Sequence, residues 1–96
     1  GQRGIWSQNE VFGFWKVSID PGIYDFKFKF NNLDNSFGEM TLELGNNVFS
    51  NEVSIHKDGF VSMKDIKVLG GDYDLIPFLR LNRKNILPFW VEIKKK

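Results

Sequence analysis

The chain has 96 residues, of which 42% are hydrophobic and 16% aromatic, and this length suits one domain with a single core. Thirteen basic residues face 12 acidic ones, and three of the basic residues are the terminal Lys94, Lys95 and Lys96. The remainder is therefore not a polycation, and nucleic acid is not an expected partner. The absence of cysteine excludes disulfides, thiol catalysis and cysteine-rich zinc sites. No apolar run approaches the ~20 residues of a membrane span, so membrane insertion is not expected.

Apolar and polar residues alternate along most of the chain, and clusters of Gly, Asn, Asp and Pro interrupt the alternation roughly every ten residues. The predicted strands are, in chain order, 12–19, 23–30, 39–44, 48–55, 60–69, 73–81 and 88–94. Pro77 lies within the sixth of these, which indicates a sheet edge or a bulge at that point. No window has a helical period. The pattern predicts an all-β fold, an antiparallel, jelly-roll-like β-sandwich of seven to eight short strands.

Residues 1–96 are predicted to form a single β-sandwich domain. Residues 1–11 are interpreted as a lead-in segment, because the first ten are polar apart from one Ile and one Trp. The chain begins with Gly1 and not with Met. We therefore expect a domain that has been excised from a longer protein.

The strand after the turn at Asp20 has two very different faces. Tyr24, Phe26, Phe28 and Phe30 alternate with Asp25, Lys27 and Lys29 in the stretch "DPGIYDFKFKF". The aromatic face could be a core or a binding surface. Four aromatic side chains left in water on one strand would promote aggregation, so we expect this face to pack against a second sheet.

The sequence offers no convincing catalytic or metal site. His56 is the only histidine, so a catalytic triad or a usual zinc site cannot be built, and it is expected to be a partly exposed residue at a strand end. Asp72 and Asp74 could form a carboxylate pair, but nothing places them in a cleft. The loop 31–36, "NNLDNS", could offer oxygens to calcium, although turn formation explains its composition better. We expect no catalytic residue, no cofactor and no metal.

The tryptophans are the remaining candidates for function. Trp15 shares a face with Val17 and Ile19, so it is predicted to be core. Trp90 falls on the opposite face from its apolar neighbours, and domain docking, packing within the domain and ligand stacking all stay open for it. Trp6 lies in the lead-in segment. Weak candidates for docking or ligand binding are Trp6, Trp90, Arg80 and Arg83.

The stretch "GFWKVSIDPGIYDFKFKF" resembles the W-x-V-x(4–6)-G-x-Y-x-F segment that opens the C-terminal β-sandwich of many bacterial sulfatase-like (arylsulfatase) hydrolases. The W-x-Q at 6–8, the segment "FVSMKDIKVLGGDYDLIPFLRL" and the closing "FWVEIKKK" extend this resemblance over nearly the whole chain. The G-x-Y-x-F pattern also resembles that of jelly-roll carbohydrate-binding modules.

The sulfatase resemblance implies a parent enzyme whose chemistry lies elsewhere. Such enzymes use a formylglycine made in a C/S-x-P-x-R motif, and they hold calcium with Asp and Asn. Here Ile19, Leu75 and Ile86 stand two residues before the three prolines. The motif is therefore absent, and no catalytic position can be transferred to this chain. The resemblance further implies a secreted or periplasmic protein.

The first hypothesis is therefore a non-catalytic accessory domain that packs on the catalytic domain of the same parent chain. The alternative is a carbohydrate-binding module for a polysaccharide, sulfated or not, with Trp90 or Trp6 stacking on a sugar ring and Arg80 or Arg83 meeting a sulfate. A third reading is a self-associating assembly module. An aromatic platform rimmed by polar groups would favour the binding module, whereas a broad flat apolar patch would favour docking.

Overall fold

The computed structural model of the chain describes residues 3–7, 14–31, 33 and 36–96, with side chains described from Phe14 onward. Within these residues the chain forms nine β-strands and no helix. The strands are β1 (Arg3–Ser7), β2 (Trp15–Ile19), β3 (Gly22–Lys29), β4 (Phe37–Leu44), β5 (Asn47–Ser54), β6 (Phe60–Val68), β7 (Gly71–Leu81), β8 (Lys84–Ile86) and β9 (Trp90–Lys95).

The strands form two antiparallel sheets. Sheet A has the order β1-β9-β3-β6, and sheet B has the order β2-β7-β4-β5, with β8 paired to β7. If the three-residue β8 is set aside, the first strand pairs with the last, the second with the seventh, the third with the sixth and the fourth with the fifth. This nested pairing is that of a jelly roll. The predicted all-β antiparallel sandwich is confirmed.

Two strands lie where the sequence pattern did not predict them. Residues 3–7, part of the predicted lead-in, form β1 at the edge of sheet A against β9, while the other residues of that segment lie outside the described part of the chain. The predicted last turn, 82–85, is instead a tight hairpin whose return arm is β8. Both strands are short and lack a strong apolar alternation, so pairing with a neighbour decides their structure.

The aromatic face of β3 is the centre of the core. Tyr24, Phe26, Phe28 and Phe30 are at most 2% exposed, which confirms the prediction that they pack against the second sheet. The rings of Phe26 and Phe28 stack with centroids 6.3 Å apart. Each fully buried Phe contributes roughly 1.5–3 kcal/mol through removal of apolar surface from water. Trp15 is also buried, as predicted.

Tyr24 is the one member of this row with a polar group. Its hydroxyl donates a hydrogen bond of 2.7 Å to the backbone oxygen of Asp20, at the turn that leads into β3. Burial raises the pKa of the Tyr24 phenol above its ordinary value, and the nearby charge of Asp20 raises it further. The phenol therefore stays a donor at neutral pH and ties the core to the turn.

Pro77 lies inside β7, where it pairs with Leu42 of β4. On the other side of β7, the described pairing with β2 ends at Leu75 and pairing with β8 begins at Leu79. A proline has no N–H to give to a neighbouring strand. Within the described residues, Pro77 has a paired strand on one side only.

Two tight hairpins use different turn chemistry. In the β4–β5 hairpin Gly45 has φ +59, which suits a type II′ turn with glycine at its first central position. In the β7–β8 hairpin both Asn82 (φ 49) and Arg83 (φ 66) are left-handed, the pattern of a type I′ turn. Asn tolerates this region, but Arg does not favour it.

Substitution of Arg83 by glycine is expected to stabilise the domain. Arg83→Gly removes the clash of Cβ in the left-handed region, which we expect to raise the free energy of unfolding by roughly 0.5–1 kcal/mol after the entropy cost of glycine. Arg83→Ala is the matched control, because it removes the side chain and keeps the Cβ. Urea denaturation of both variants measures the difference. Equal stabilities of the two variants would contradict the assignment of strain to this residue.

Candidate ligand-binding face

The outer face of sheet A is set by the alternation of β3. Because Phe26 and Phe28 point into the core, Lys27 and Lys29 project from the opposite face of the same strand. Sheet order places β9 and β6 on either side of β3. The register then sets Lys29 directly opposite Trp90 of β9 on one side and Phe60 of β6 on the other.

Phe60 and Trp90 meet across β3. They stand two strands apart, yet their ring centroids are 5.6 Å apart at an interplanar angle of 73°. This edge-to-face arrangement is a favoured one for aromatic pairs and contributes roughly 0.5–1.5 kcal/mol beyond area burial. Both rings are only half-buried. The pair therefore forms an ordered aromatic surface that remains partly open to solvent.

The two lysines contact the same aromatic ring. The Lys27 Nζ lies 4.3 Å and the Lys29 Nζ 4.9 Å from the centroid of Phe60, which is the range of a cation–π interaction. Among the described residues, neither ammonium group is within 4.0 Å of a carboxylate oxygen. We call these four residues, Lys27, Lys29, Phe60 and Trp90, the aromatic–lysine cluster.

Two shallow depressions border this cluster at the β5–β6 turn. One, of about 240 Å³, is lined by Lys27, His56, Asp58, Phe60 and Ser62. The other, of about 390 Å³, lies on the Lys29 side and reaches Asn31, Leu33 and Lys57. His56 is exposed and follows the end of β5, as predicted. The depressions give the aromatic surface a polar rim.

The β5–β6 turn is held by backbone hydrogen bonds. The Gly59 N–H donates to the His56 carbonyl at 2.9 Å, and the Phe30 N–H donates to the Gly59 carbonyl at 3.0 Å. The His56 N–H donates to the Phe60 carbonyl at 3.0 Å. The position of Phe60 in the cluster therefore depends on a turn that is anchored to the end of β3.

The two outer faces carry opposite charge. Among the described side chains on the outer side of sheet A, lysines outnumber acids: the charged residues are Lys27, Lys29, Lys64, Lys67, Lys94 and Lys96 with Asp25, Asp65 and Glu92. On the outer side of sheet B the charged residues are Glu39, Glu43, Glu52, Asp72 and Asp74 with Lys16 and Arg80. The near-zero net charge of the sequence conceals this segregation, because the strands sort the charges by face.

The outer face of sheet B carries several exposed apolar side chains. Phe37 is 73% exposed and Val48 62% exposed, at opposite ends of the β4–β5 hairpin. Ile76 and Phe78 on β7 are half-exposed. Glu39 and Glu43 of β4 and Glu52 of β5 lie on the same face. The apolar surface is therefore broad but discontinuous.

The candidates from the sequence are not brought together. Trp90 lies in the aromatic–lysine cluster, but Arg80 projects from sheet B opposite Glu39 and Arg83 occupies the β7–β8 turn. The backbone of Trp6 pairs with Val91, while its side chain lies outside the described part. The cations of the cluster are Lys27 and Lys29 of β3, which are not among the candidates from the sequence.

The suggested carboxylate pair is already engaged. Asp72 and Asp74 project from the same face of β7 and are paired with Ser18 and Lys16 of β2. The Ser18 hydroxyl donates to Asp72, and the Lys16 Nζ lies 4.0 Å from Asp74. These contacts explain the two aspartates as polar links between neighbouring strands.

No protein-family model matches the chain, and no curated protein or solved structure matches it. Among the described residues, no group of three or more His, Cys, Asp or Glu side chains is placed to hold a metal ion. No helix in the described part is long and apolar enough to cross a membrane. A jelly roll by itself defines no function, so the functional argument rests on the cluster.

Proposed function

We propose that this chain is a non-catalytic carbohydrate-binding module that uses the outer face of sheet A. The observation that carries the proposal is the aromatic–lysine cluster, in which the Phe60 and Trp90 ring centroids lie 5.6 Å apart and two lysines contact the Phe60 ring. An aromatic surface rimmed by polar groups suits a sugar ligand. The C–H face of the sugar ring stacks on the aromatic side chain, and the sugar hydroxyls form hydrogen bonds with the polar rim.

The placement of the cluster on three strands supports binding of an extended ligand. Three adjacent strands of one sheet supply its members, and sites built on strands are positioned more tightly than sites on loops. Little side-chain ordering remains to be made when a ligand arrives, which lowers the cost of association. The flanking depressions would accommodate neighbouring sugar units.

Loss of the Trp90 ring is expected to abolish most of this binding. For each polysaccharide that the wild type binds, we expect Trp90→Ala to weaken the affinity by about tenfold or more, a change of about 1.4 kcal/mol or more. The measurement is isothermal titration calorimetry with dextran, laminarin, xylan and chondroitin sulfate.

The matched control is Phe37→Ala, which removes an exposed aromatic side chain from sheet B. It should bind like the wild type. If Trp90→Ala retains full affinity, or if Phe37→Ala loses it, the outer face of sheet A is not the binding site. Absence of binding to every polysaccharide in the panel would remove the support for a carbohydrate-binding module.

A second candidate function is supported by the outer face of sheet B. In this role the chain would be the accessory domain of a secreted or periplasmic sulfatase-like hydrolase. Its sheet B would pack on the catalytic domain of that enzyme. The exposure of Phe37 and Val48 favours this role, since such side chains are buried at domain contacts. The two roles use opposite faces, so Phe37→Ala, the control above, is also the variant that tests docking in a parent chain.

A further inference from the structure

We infer that the ligand of this face carries an anionic group, a sulfate or a carboxylate, and that Lys27 and Lys29 select it. This inference deepens the proposed function and rests on it. It names a class of ligand, an acidic polysaccharide, and replaces the arginines suggested by the sequence with two lysines of β3.

The first argument is the absence of a charged partner. Each ammonium group has three N–H donors, yet in the described part of the chain no carboxylate lies within 4.0 Å of Lys27 or Lys29. Both ammonium groups lie over the Phe60 ring and more than 4.0 Å from the described carboxylates.

The second argument compares energies. A cation–π contact at an exposed site is weak, and phenylalanine is a weaker partner than tryptophan. A hydrogen bond between a charged donor and a charged acceptor is stronger. The two lysines would therefore interact more strongly with an anion placed beside Phe60 than they do with the ring.

The third argument is proximity. Both nitrogens lie within 5 Å of one ring centroid, at 4.3 and 4.9 Å, so the two charges are separated by no more than the sum of those distances. Both lysine side chains are half-buried. Two such charges can act on the same anionic group, or on two groups of one sugar stacked at Trp90.

The test uses one polysaccharide backbone in unsubstituted, carboxymethylated and sulfated forms. Dextran, carboxymethyl-dextran and dextran sulfate of equal length are titrated into the wild type, into Lys27→Gln/Lys29→Gln, and into Lys64→Gln/Lys67→Gln. The last variant is the control, because it removes the same charge from the exposed part of β6 on the same sheet.

We expect the wild type to bind at least one charged polymer about tenfold or more tightly than dextran. The Lys27→Gln/Lys29→Gln variant should lose that difference, whereas the Lys64→Gln/Lys67→Gln variant should stay within about twofold of the wild type. The preference between the two charged polymers identifies sulfate or carboxylate as the selected group.

The unfavourable outcomes separate this inference from the proposed function. Equal affinity for neutral and charged polymers would overturn the inference and leave the carbohydrate-binding function in place. Equal losses in both double variants would show attraction to surface charge in general, which also overturns it. Binding of none of these polymers, nor of the wider panel above, would count against the proposed function itself.

Discussion

Phe28→Ala is expected to lower the free energy of unfolding by about 3–5 kcal/mol, because truncation of a buried Phe leaves a cavity that the core fills only partly. Phe28 is 0% exposed and stacks on Phe26. It lies opposite Val61 of β6 and Val91 of β9, so its loss would affect three strands of sheet A together. Domains are stable by only about 5–15 kcal/mol, and this substitution would remove a large part of that.

Thermal and urea denaturation of Phe28→Ala measure the loss. Phe37→Ala is the matched control, since it makes the same chemical change at a side chain that is 73% exposed. We expect the control to change stability by no more than about 0.5 kcal/mol. Similar losses at both positions would mean that the aromatic row of β3 is not the centre of the core.

Gly59→Ala is the second substitution with a large expected effect, and it acts on the backbone. Gly59 has φ +86, and a Cβ there would lie 2.3 Å from the Phe30 carbonyl oxygen. The left-handed conformation costs a residue with a Cβ roughly 1–2 kcal/mol, and relief of the clash requires the turn to move, at a further 1–3 kcal/mol or so. We expect a total loss of about 2–5 kcal/mol.

The same substitution should weaken ligand binding, because Gly59 directly precedes Phe60 of the aromatic–lysine cluster. The control is Asp58→Ala in the same turn, which removes only a 3.4 Å hydrogen bond from the Phe60 N–H to the Asp58 carboxylate. We expect it to cost less than about 1 kcal/mol. Denaturation of both variants compares their stabilities, and polysaccharide titration of Gly59→Ala measures the effect on binding. If Gly59→Ala is as stable as Asp58→Ala, the close approach of Gly59 to Phe30 does not constrain the turn.

The strands that alternate strongly could be predicted from the sequence. In β3 the period of two in Tyr24, Phe26 and Phe28 follows directly from burial of one face, and the structure buries that face. β1 could not be predicted in this way, because "RGIWS" has no alternation and its strand is defined by pairing with β9. β8 likewise depends on a turn in which Arg83 adopts a conformation that its residue type does not favour.

The aromatic–lysine cluster was only partly visible in the sequence. Trp90 was singled out because it falls opposite its apolar neighbours, but its partners Phe60 and Lys29 are far away in the chain. They meet because the nested pairing of a jelly roll places β3 between β9 and β6, and because the register sets Lys29 against both rings. Alternation within one strand gives the face of a residue, and it does not give the register between distant strands.

The most direct measurement of the central claim is a titration of the ¹⁵N-labelled chain with dextran sulfate oligosaccharides, followed by amide and indole chemical shifts. We predict saturable shifts at Lys27, Lys29, Phe60 and the Trp90 indole, with only small changes on β4 and β5. Shifts confined to sheet B, or to the terminal lysines at 94–96, would contradict the assignment of the outer face of sheet A as the binding surface.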